Sequence, residues 1–236
     1  MEYTKTHPNI PIIFEDNHIL VINKPHNVLS QEDHTGDPDV LSLCKAYLKK
    51  KHNKTGTVYL GLVHRLDRPV GGLMLLAKTS KAASRLSQQI RDRLIQKTYW
   101  AVVWGNAPAN GMLTHYLFKD RSRNIVTTVP ADHKQGKQAV LSFAKLKEHK
   151  GQSLLSIHLQ TGRPHQIRVQ MAQEELPIWG DYKYGKDNKP DGRTMALRAT
   201  ELILEHPVTK EEHHFTLAPP DAEPWDKFDT SSLLNA

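Results

Sequence analysis

The stretch GLVHRLDRPVGGLMLLA, residues 61–77, joins a charged turn to an apolar run. The run Leu73–Ala77 follows two glycines and predicts a buried strand. Ahead of it, the carboxylate of Asp67 lies in a Pro/Gly turn, flanked by Arg65 and Arg68. One carboxylate between two guanidinium groups is suited to chemistry on a charged substrate, although aspartate also closes turns through its own backbone. Both interpretations remain open for this stretch alone.

Strand and helix patterns are mixed along the rest of the chain. We expect strands at 18–23, 99–104, 195–204 and 213–217, and a hairpin that pairs 139–143 with 155–159 and turns near 149–151. Helices are predicted from Pro38, from Thr79 or Ser80 with a buried stripe of Ala82, Leu86, Ile90 and Leu94, and from Pro164 to about Glu175. This order predicts an α+β fold with a mixed, mostly antiparallel central sheet flanked by helices.

A second polar segment, TGRPHQIR, covers residues 161–168 at a loop-to-helix junction. His165 and Arg168 are three residues apart, so the spacing places them on one face of the new helix. This arrangement is compatible with a binding site. A capped helix start with a surface arginine is the alternative.

The chain has 236 residues and a net charge of +7, with an estimated pI of about 9.4. Its basic residues form three groups, at 45–54, 81–97 and 119–137, whereas the last 26 residues hold six acidic residues and one lysine. Basic patches favour a polyanion partner through counterion release. A solvated lysine-rich surface explains the same composition.

Composition also excludes several classes of protein. The single cysteine, Cys44, makes neither an internal disulfide nor a cysteine-based zinc site. No apolar run approaches the roughly 18 residues of a membrane span, and the first residues lack a signal-peptide core. We therefore expect a cytoplasmic protein.

The sequence contains no complete motif for a cofactor or a metal ion. The segment GDYKYGK, residues 180–186, matches the start of a phosphate-binding loop, but Asp187 stands where a magnesium-binding hydroxyl is needed. The 14 histidines contain no His-Glu-x-x-His pair. We expect no cofactor and no metal.

Together, the motifs resemble those of the RluA-type RNA pseudouridine synthases. The three signatures are HRLD at 64–67, KTYWAVVWG from Lys97 and TGRPHQIRVQMA from Thr161. Supporting segments stand in the expected order: FEDNHILVINKP, PIWGDYKYG and LEHPVTKE. The resemblance spans about residues 12–220. It implies an N-terminal extension at 1–11, a catalytic domain at 12–220 and an acidic tail at 221–236.

The resemblance also implies roles for individual residues. Asp67 is the essential catalytic residue, and Arg168 is its ion-pair partner. Tyr99 packs on the target base and is a candidate base for the sugar C2′ proton, and packing alone remains an equal alternative. Arg65 fills the gap left by a flipped-out nucleotide. The substrate-binding set is completed by His64, Arg163 and His165.

The implied activity is isomerisation of uridine to pseudouridine in structured rRNA or tRNA. RNA is then the partner, without a membrane or DNA, and we expect a monomer. Physical chemistry supports these roles. The target base must leave its stack before it can turn. Cleavage of the glycosidic bond builds positive charge on the sugar, and a carboxylate can stabilise this charge. Two alternatives remain: a non-catalytic RNA-binding or chaperone protein on the same scaffold, and a hydrolase that uses Asp67 and releases free base.

The sequence departs from the family pattern in four places. Val70-Gly71 replaces a Thr-Ser or Thr-Thr pair, Asn27 replaces a glycine, and Gln170 and Arg198 replace histidines. None of these changes removes Asp67, Tyr99 or Arg168. They bear on the lining of the pocket and the choice of substrate.

Overall fold

The computed structural model describes residues 9–185 and 191–233. These residues form two compact units. The first comprises the residues up to Ile95 together with Leu202–Leu217, and the second comprises Gln96–Glu201 and the residues from Ala218 onward. In the described parts of the chain, no helix is long and apolar enough to cross a membrane.

The first unit is a small sheet with two helices. Its elements in chain order are β1 (Ile12–Glu15), β2 (Ile19–Lys24), α1 (Val40–Lys51), β3 (Gly61–Leu62), β4 (Gly71–Ala77), α2 (Ser80–Arg91) and, later, β11 (Glu212–Thr216). Strand β2 pairs antiparallel with β1 and with β4, and β3 also pairs antiparallel with β4. Every residue of β4 is buried, which confirms the strand predicted from the apolar run.

Side-chain caps fix both helix starts of this unit. The Asp39 carboxylate accepts the Ser42 N–H at 3.0 Å, and the Thr79 hydroxyl accepts the Ala82 N–H at 3.1 Å. Helix α1 therefore begins at Val40, not at Pro38. The predicted stripe on α2 is wrong at Leu94, which lies beyond the end of the helix and is 62% exposed.

The second unit is a larger antiparallel sheet. Its strands are β5 (Gln96–Trp104), β6 (Asn110–Asp120), β7 (Ile125–Val129), β8 (Lys137–His149) and β9 (Gln152–Leu159), in the spatial order β5-β9-β8-β6-β7. Strand β10 (Leu197–Glu205) has residues in both units. The hairpin of β8 and β9 confirms its prediction, whereas the sequence did not predict β6 and β7.

Helix α3 (Gln166–Gln173) packs on this sheet through Val169, which belongs to a buried cluster with Leu117, Val126 and Ala139. The helix begins two residues later than predicted from Pro164. His165 precedes it in the left-handed conformation, with φ of 52°, so the chain cannot be helical there.

Two short 3₁₀ helices, Trp225–Phe228 and Thr230–Leu233, lie in the predicted acidic tail. Trp225 and Phe228 are buried against Trp100 and Trp179. This segment is therefore part of the core of the second unit. Within the described residues, β-strands in sheets together with three α-helices confirm the predicted α+β class.

Candidate functional site

Asp67 lies in the turn that connects β3 to β4. The turn is closed by a 3.0 Å hydrogen bond from the Val70 N–H to the Asp67 carbonyl oxygen. Leu66 is buried, Asp67 is half-buried and Arg65 is exposed. The turn thus anchors an apolar residue inward and presents the side chains of Arg65 and Asp67 at its surface.

The side chain of Lys24 forms hydrogen bonds with the backbone of this turn. Its ammonium group donates to the carbonyl oxygens of Pro25, Arg68 and Val70 at 3.0, 3.1 and 2.8 Å. The side chain is fully buried, and this burial lowers the pKa of Lys24 to about 7, although the charge of Asp67 opposes the shift. A buried ammonium group therefore fixes the backbone on the C-terminal side of Asp67.

Three further side chains form hydrogen bonds with the backbone of this turn or of strand β4, which follows it. The Ser30 hydroxyl donates to the Leu66 carbonyl at 2.6 Å and accepts the Leu66 N–H at 3.2 Å. His26 Nδ1 lies 2.9 Å from the Pro69 carbonyl oxygen. His64 Nε2 accepts the Leu75 N–H at 2.9 Å. Because Nε2 is an acceptor, a neutral His64 carries its proton on Nδ1. His64, predicted to bind substrate, thus also anchors β4.

In the second unit, Gln166 organises the start of α3. Its side-chain oxygen accepts the Thr161 hydroxyl at 2.8 Å and the Arg163 N–H at 2.9 Å, and its amide group donates to the Val140 carbonyl at 3.1 Å. The Arg163 Nε donates to the Gln138 carbonyl at 2.9 Å. These bonds tie the loop that carries Arg163 to strand β8.

Arg168 and His165 both contact Tyr184, but His165 precedes helix α3, so the predicted shared helix face is wrong for His165. His165 Nδ1 bonds to the Tyr184 hydroxyl, and the Arg168 guanidinium lies 5.0 Å from the centre of the Tyr184 ring. Arg168 also forms two parallel bonds with Asp181, from Nε to Oδ2 and from Nη2 to Oδ1, each 2.7 Å. Both side chains of this pair are buried.

Tyr99 lies in the middle of β5, opposite Ile157 of β9, and is buried. It therefore belongs to a rigid strand, not to a loop. Asp67 and Arg65 belong to the first unit, whereas Tyr99 and Arg168 belong to the second. The ion pair between Asp67 and Arg168 stays a prediction.

The sequence interpretation missed three supporting residues. Lys24 ends a buried strand, and a lysine at such a position is a signal for a specific internal partner. Asp181 and Tyr184 lie in the segment that was rejected as a phosphate-binding loop, and no local pattern links them to Arg168. Only the tertiary structure brings Asp181 and Tyr184 to Arg168.

The four departures from the family pattern have structural explanations. Asn27 has a φ of 59°, a conformation that asparagine tolerates better than most residues. A Cβ atom at Gly71 would lie 2.9 Å from His26 Nε2, so the His26 ring occupies the space of a side chain at position 71. Gln170 and Arg198 are buried and bond to backbone carbonyls, Gln170 to Leu113 and Ala139 and Arg198 to Ala218.

No group of three His, Cys, Asp or Glu side chains that could hold a metal ion occurs within residues 9–185 and 191–233. The polar groups described above instead bond to backbone atoms and to one another.

Comparisons with known proteins show which family the chain resembles over most of its length. The RNA pseudouridylate synthase family profile matches residues 18–173. A protein of Vibrio cholerae named ribosomal large subunit pseudouridine synthase D is 34% identical over 224 residues, which cover 89% of this chain and 67% of the relative. A Yersinia pestis protein of the same name is 33% identical over 240 residues, which cover 96% of this chain and 70% of the relative.

Two solved structures share the fold. Human RNA pseudouridylate synthase domain containing 4 is similar with a TM-score of 0.74 at 23% identity, over 89% of this chain and 88% of the other. Human RNA pseudouridylate synthase domain containing 1 gives a TM-score of 0.75 at 19% identity, over 100% and 96% of the two chains. From the sequence relatives and the family match together, the chain belongs to the RluA-type RNA pseudouridine synthase family and is an RNA pseudouridine synthase.

Proposed function

We propose that this enzyme isomerises specific uridines in ribosomal RNA, with Asp67 as the catalytic carboxylate acting on a flipped-out nucleotide. The observation that carries the proposal is the support of the Asp67 turn by Lys24 and Ser30, which bond to the backbone on both sides of this residue. A carboxylate on a fixed turn is pre-organised for a reacting sugar carbon. The names of the relatives favour ribosomal RNA as the substrate.

The reaction requires a carboxylate for a physical reason. When the N1–C1′ bond of uridine breaks, positive charge develops at the sugar, and Asp67 would either bond to C1′ or stabilise this charge. The uracil then turns and C5 bonds to C1′ while any bond between Asp67 and C1′ breaks and returns its electron pair to the carboxylate. The proton on C5 leaves and N1 regains a proton. The product is an isomer, so the atoms and electrons balance without a further reactant.

Arg168 would keep Asp67 ionised. In a closed pocket, desolvation favours the protonated carboxyl group, and a nearby guanidinium opposes this effect. Asp181 orients Arg168 through Nε and Nη2.

Arg65 and Tyr99 would act on the RNA. Extruding a nucleotide costs a few kcal/mol, and a guanidinium plane that stacks in the gap offsets part of this cost. The exposure of Arg65 suits that role. Tyr99 would provide a flat surface for the uracil, and its rigid strand position supports stacking. Proton transfer from C2′ remains its second proposed role.

Carbodiimide-stop sequencing of RNA from cells with and without this gene tests the function. We expect stops at specific uridines of ribosomal RNA that disappear without the gene and return with the wild-type protein, but not with Asp67→Asn. Unchanged ribosomal RNA would contradict the proposal, and stops lost only from tRNA would assign the enzyme to that substrate. Release of free uracil in vitro would instead indicate a hydrolase.

A further inference from the structure

A cavity of about 390 Å³ lies in the second unit, beside the segment that holds Asp181. Its wall includes Trp104, Gly105, Asp181, Tyr182, Asp191 and Arg193. Trp104 is 36% exposed, although it stands at the end of a buried strand. The volume is within the range of pockets for small ligands or single nucleotides.

Trp104 is backed by a second tryptophan. Its ring stacks on that of Trp179, with 4.6 Å between the ring centres and an angle of 27° between the planes. Trp179 is buried and belongs to the core cluster with Trp100 and Trp225. The exposed indole of Trp104 therefore stands on a rigid base, and its position is fixed before any ligand binds.

A cationic plane is held beside this pair of tryptophans. The Arg193 guanidinium lies 4.7 Å from the ring centre of Trp179 and 5.9 Å from that of Trp104. Asp191 orients it, because its carboxylate accepts Arg193 Nε at 2.8 Å and the Arg193 backbone N–H at 3.1 Å. The Tyr182 hydroxyl bonds in turn to the Asp191 carboxylate.

The wall carries three carboxylates, those of Glu175, Asp181 and Asp191, and one guanidinium, that of Arg193. Asp191 pairs with Arg193, and Asp181 pairs with Arg168. A cavity of this kind offers little attraction to an isolated phosphate. It instead offers an indole face and a guanidinium plane, which both stack on flat aromatic rings, while the carboxylate oxygens accept hydrogen bonds from ring amino groups.

We propose that this cavity binds an unpaired base of the substrate RNA, stacked on Trp104 beside Arg193. The choice of RNA as the source of the base rests on the proposed function. Since Asp181 belongs both to the cavity wall and to the pair with Arg168, a base in this cavity lies next to the support of the proposed catalytic arginine. The site would place a second nucleotide relative to the one that reacts.

Binding of fluorescein-labelled hexaadenylate, followed by anisotropy, tests this site without isomerisation, because the probe contains no uridine. We expect Trp104→Ala to bind at least about fivefold more weakly than the wild type. Trp104→Phe keeps a stacking ring and should bind within about threefold of the wild type. Arg193→Gln should bind more weakly while leaving the tryptophan pair in place.

Tyr59→Ala is the matched control, since Tyr59 is an aromatic residue in the first unit that is 49% exposed. Its affinity for the probe should equal that of the wild type. If Trp104→Ala loses thermal stability, Trp104→Phe and Arg193→Gln still test whether the cavity binds the probe. Wild-type affinity in both Trp104→Ala and Arg193→Gln would overturn the proposal, as would an equal loss in Tyr59→Ala.

Two further measurements separate this site from the proposed function. On structured RNA that the wild type modifies, Trp104→Ala should raise KM and leave kcat within about twofold. If the protein modifies no RNA but binds hexaadenylate with an affinity that depends on Trp104, the proposed base-binding cavity would be supported and the proposed enzymatic function would be contradicted. Adenosine monophosphate that binds as tightly as hexaadenylate would overturn the assignment of the cavity to RNA.

Discussion

Arg168 and Asp181 form a buried, two-bond ion pair between helix α3 and the segment that follows it. The side chains are 7% and 1% exposed, and both bonds are 2.7 Å. The Asp181 carboxylate also accepts the backbone N–H groups of Lys183 and Tyr184 at 3.0 and 3.3 Å. Asp181 thus fixes the orientation of Arg168 and the course of its own loop.

We predict that Asp181→Asn lowers the free energy of unfolding by about 3–5 kcal/mol, because it leaves the buried guanidinium without its counter-charge. Urea denaturation measures this effect. The control is Glu205→Gln, which removes an exposed pair with Lys210 and should cost less than about 1 kcal/mol. Similar losses in the two variants would show that the buried pair contributes no more to the free energy of unfolding than the exposed pair.

Lys24→Met should lower activity by shifting the turn that carries Asp67, because it removes three bonds to backbone carbonyls. It should also change how stability depends on pH. The folded-state pKa of Lys24 is about 7, below the value of 10.5 for a free lysine, so between these values the unfolded chain binds more protons.

The wild type should therefore gain stability relative to Lys24→Met as pH rises from about 7 towards 10, by an amount on the order of 1–3 kcal/mol. Denaturation of both proteins at several pH values measures the difference. Other groups with a lowered pKa that both proteins share, such as Lys97 and Arg198, cancel in this comparison. A difference that is constant with pH would contradict a low pKa for Lys24.

Gly71→Ser should destabilise the protein by about 1–3 kcal/mol, since the new Cβ atom would press on the His26 ring. The same change in a His26→Ala background should cost much less, because the ring that occupies the space is gone. Thermal denaturation of the two single variants and the double variant measures this coupling. Strictly additive losses would show that His26 and Gly71 are independent.

RNA binding should weaken steeply with salt, and part of this dependence should come from the basic end of α1. Lys49, Lys50 and Lys54 are exposed there. Replacing all three with glutamine should reduce the slope of log K against log salt by roughly 0.7–0.9 for each phosphate contact that is lost. Titrations of a structured RNA at several salt concentrations measure the slope.

Lys210→Gln is the control for this experiment, because Lys210 pairs with Glu205. It should leave the slope unchanged. A triple variant with the wild-type slope would remove the end of α1 from the RNA-binding surface.

Local patterns predicted much of the fold. Alternation revealed the hairpin of β8 and β9, and the continuous apolar runs revealed β2 and β4, because each of these strands is decided by nearby side chains. The hairpin of β6 and β7 was missed. The residues of β6 mostly alternate between exposed and half-buried states, so β6 is held by pairing with β8, and β7 by pairing with β6, and not by a strong apolar pattern.

The candidate site was predicted only where a motif names its residues. Asp67, Tyr99 and Arg168 stand in signature segments, whereas Lys24 and Asp181 act across long distances in the fold. The predicted start of α3 was two residues too early. At the observed start, Gln166 forms side-chain hydrogen bonds with Thr161 and Arg163 in place of a conventional cap, and single-residue preferences do not encode such bonds.

The most direct test of the central claim is the single-turnover rate of Asp67→Asn on a ribosomal RNA fragment that the wild type modifies. We expect the rate to fall by at least about 10³-fold, with thermal stability and RNA affinity retained, because a neutral amide cannot stabilise the developing positive charge. Asp37→Asn, which removes the charge of the half-buried partner of Arg68, should stay within about threefold of the wild type. A comparable rate in Asp67→Asn and the wild type would contradict the assignment of Asp67 as the catalytic carboxylate.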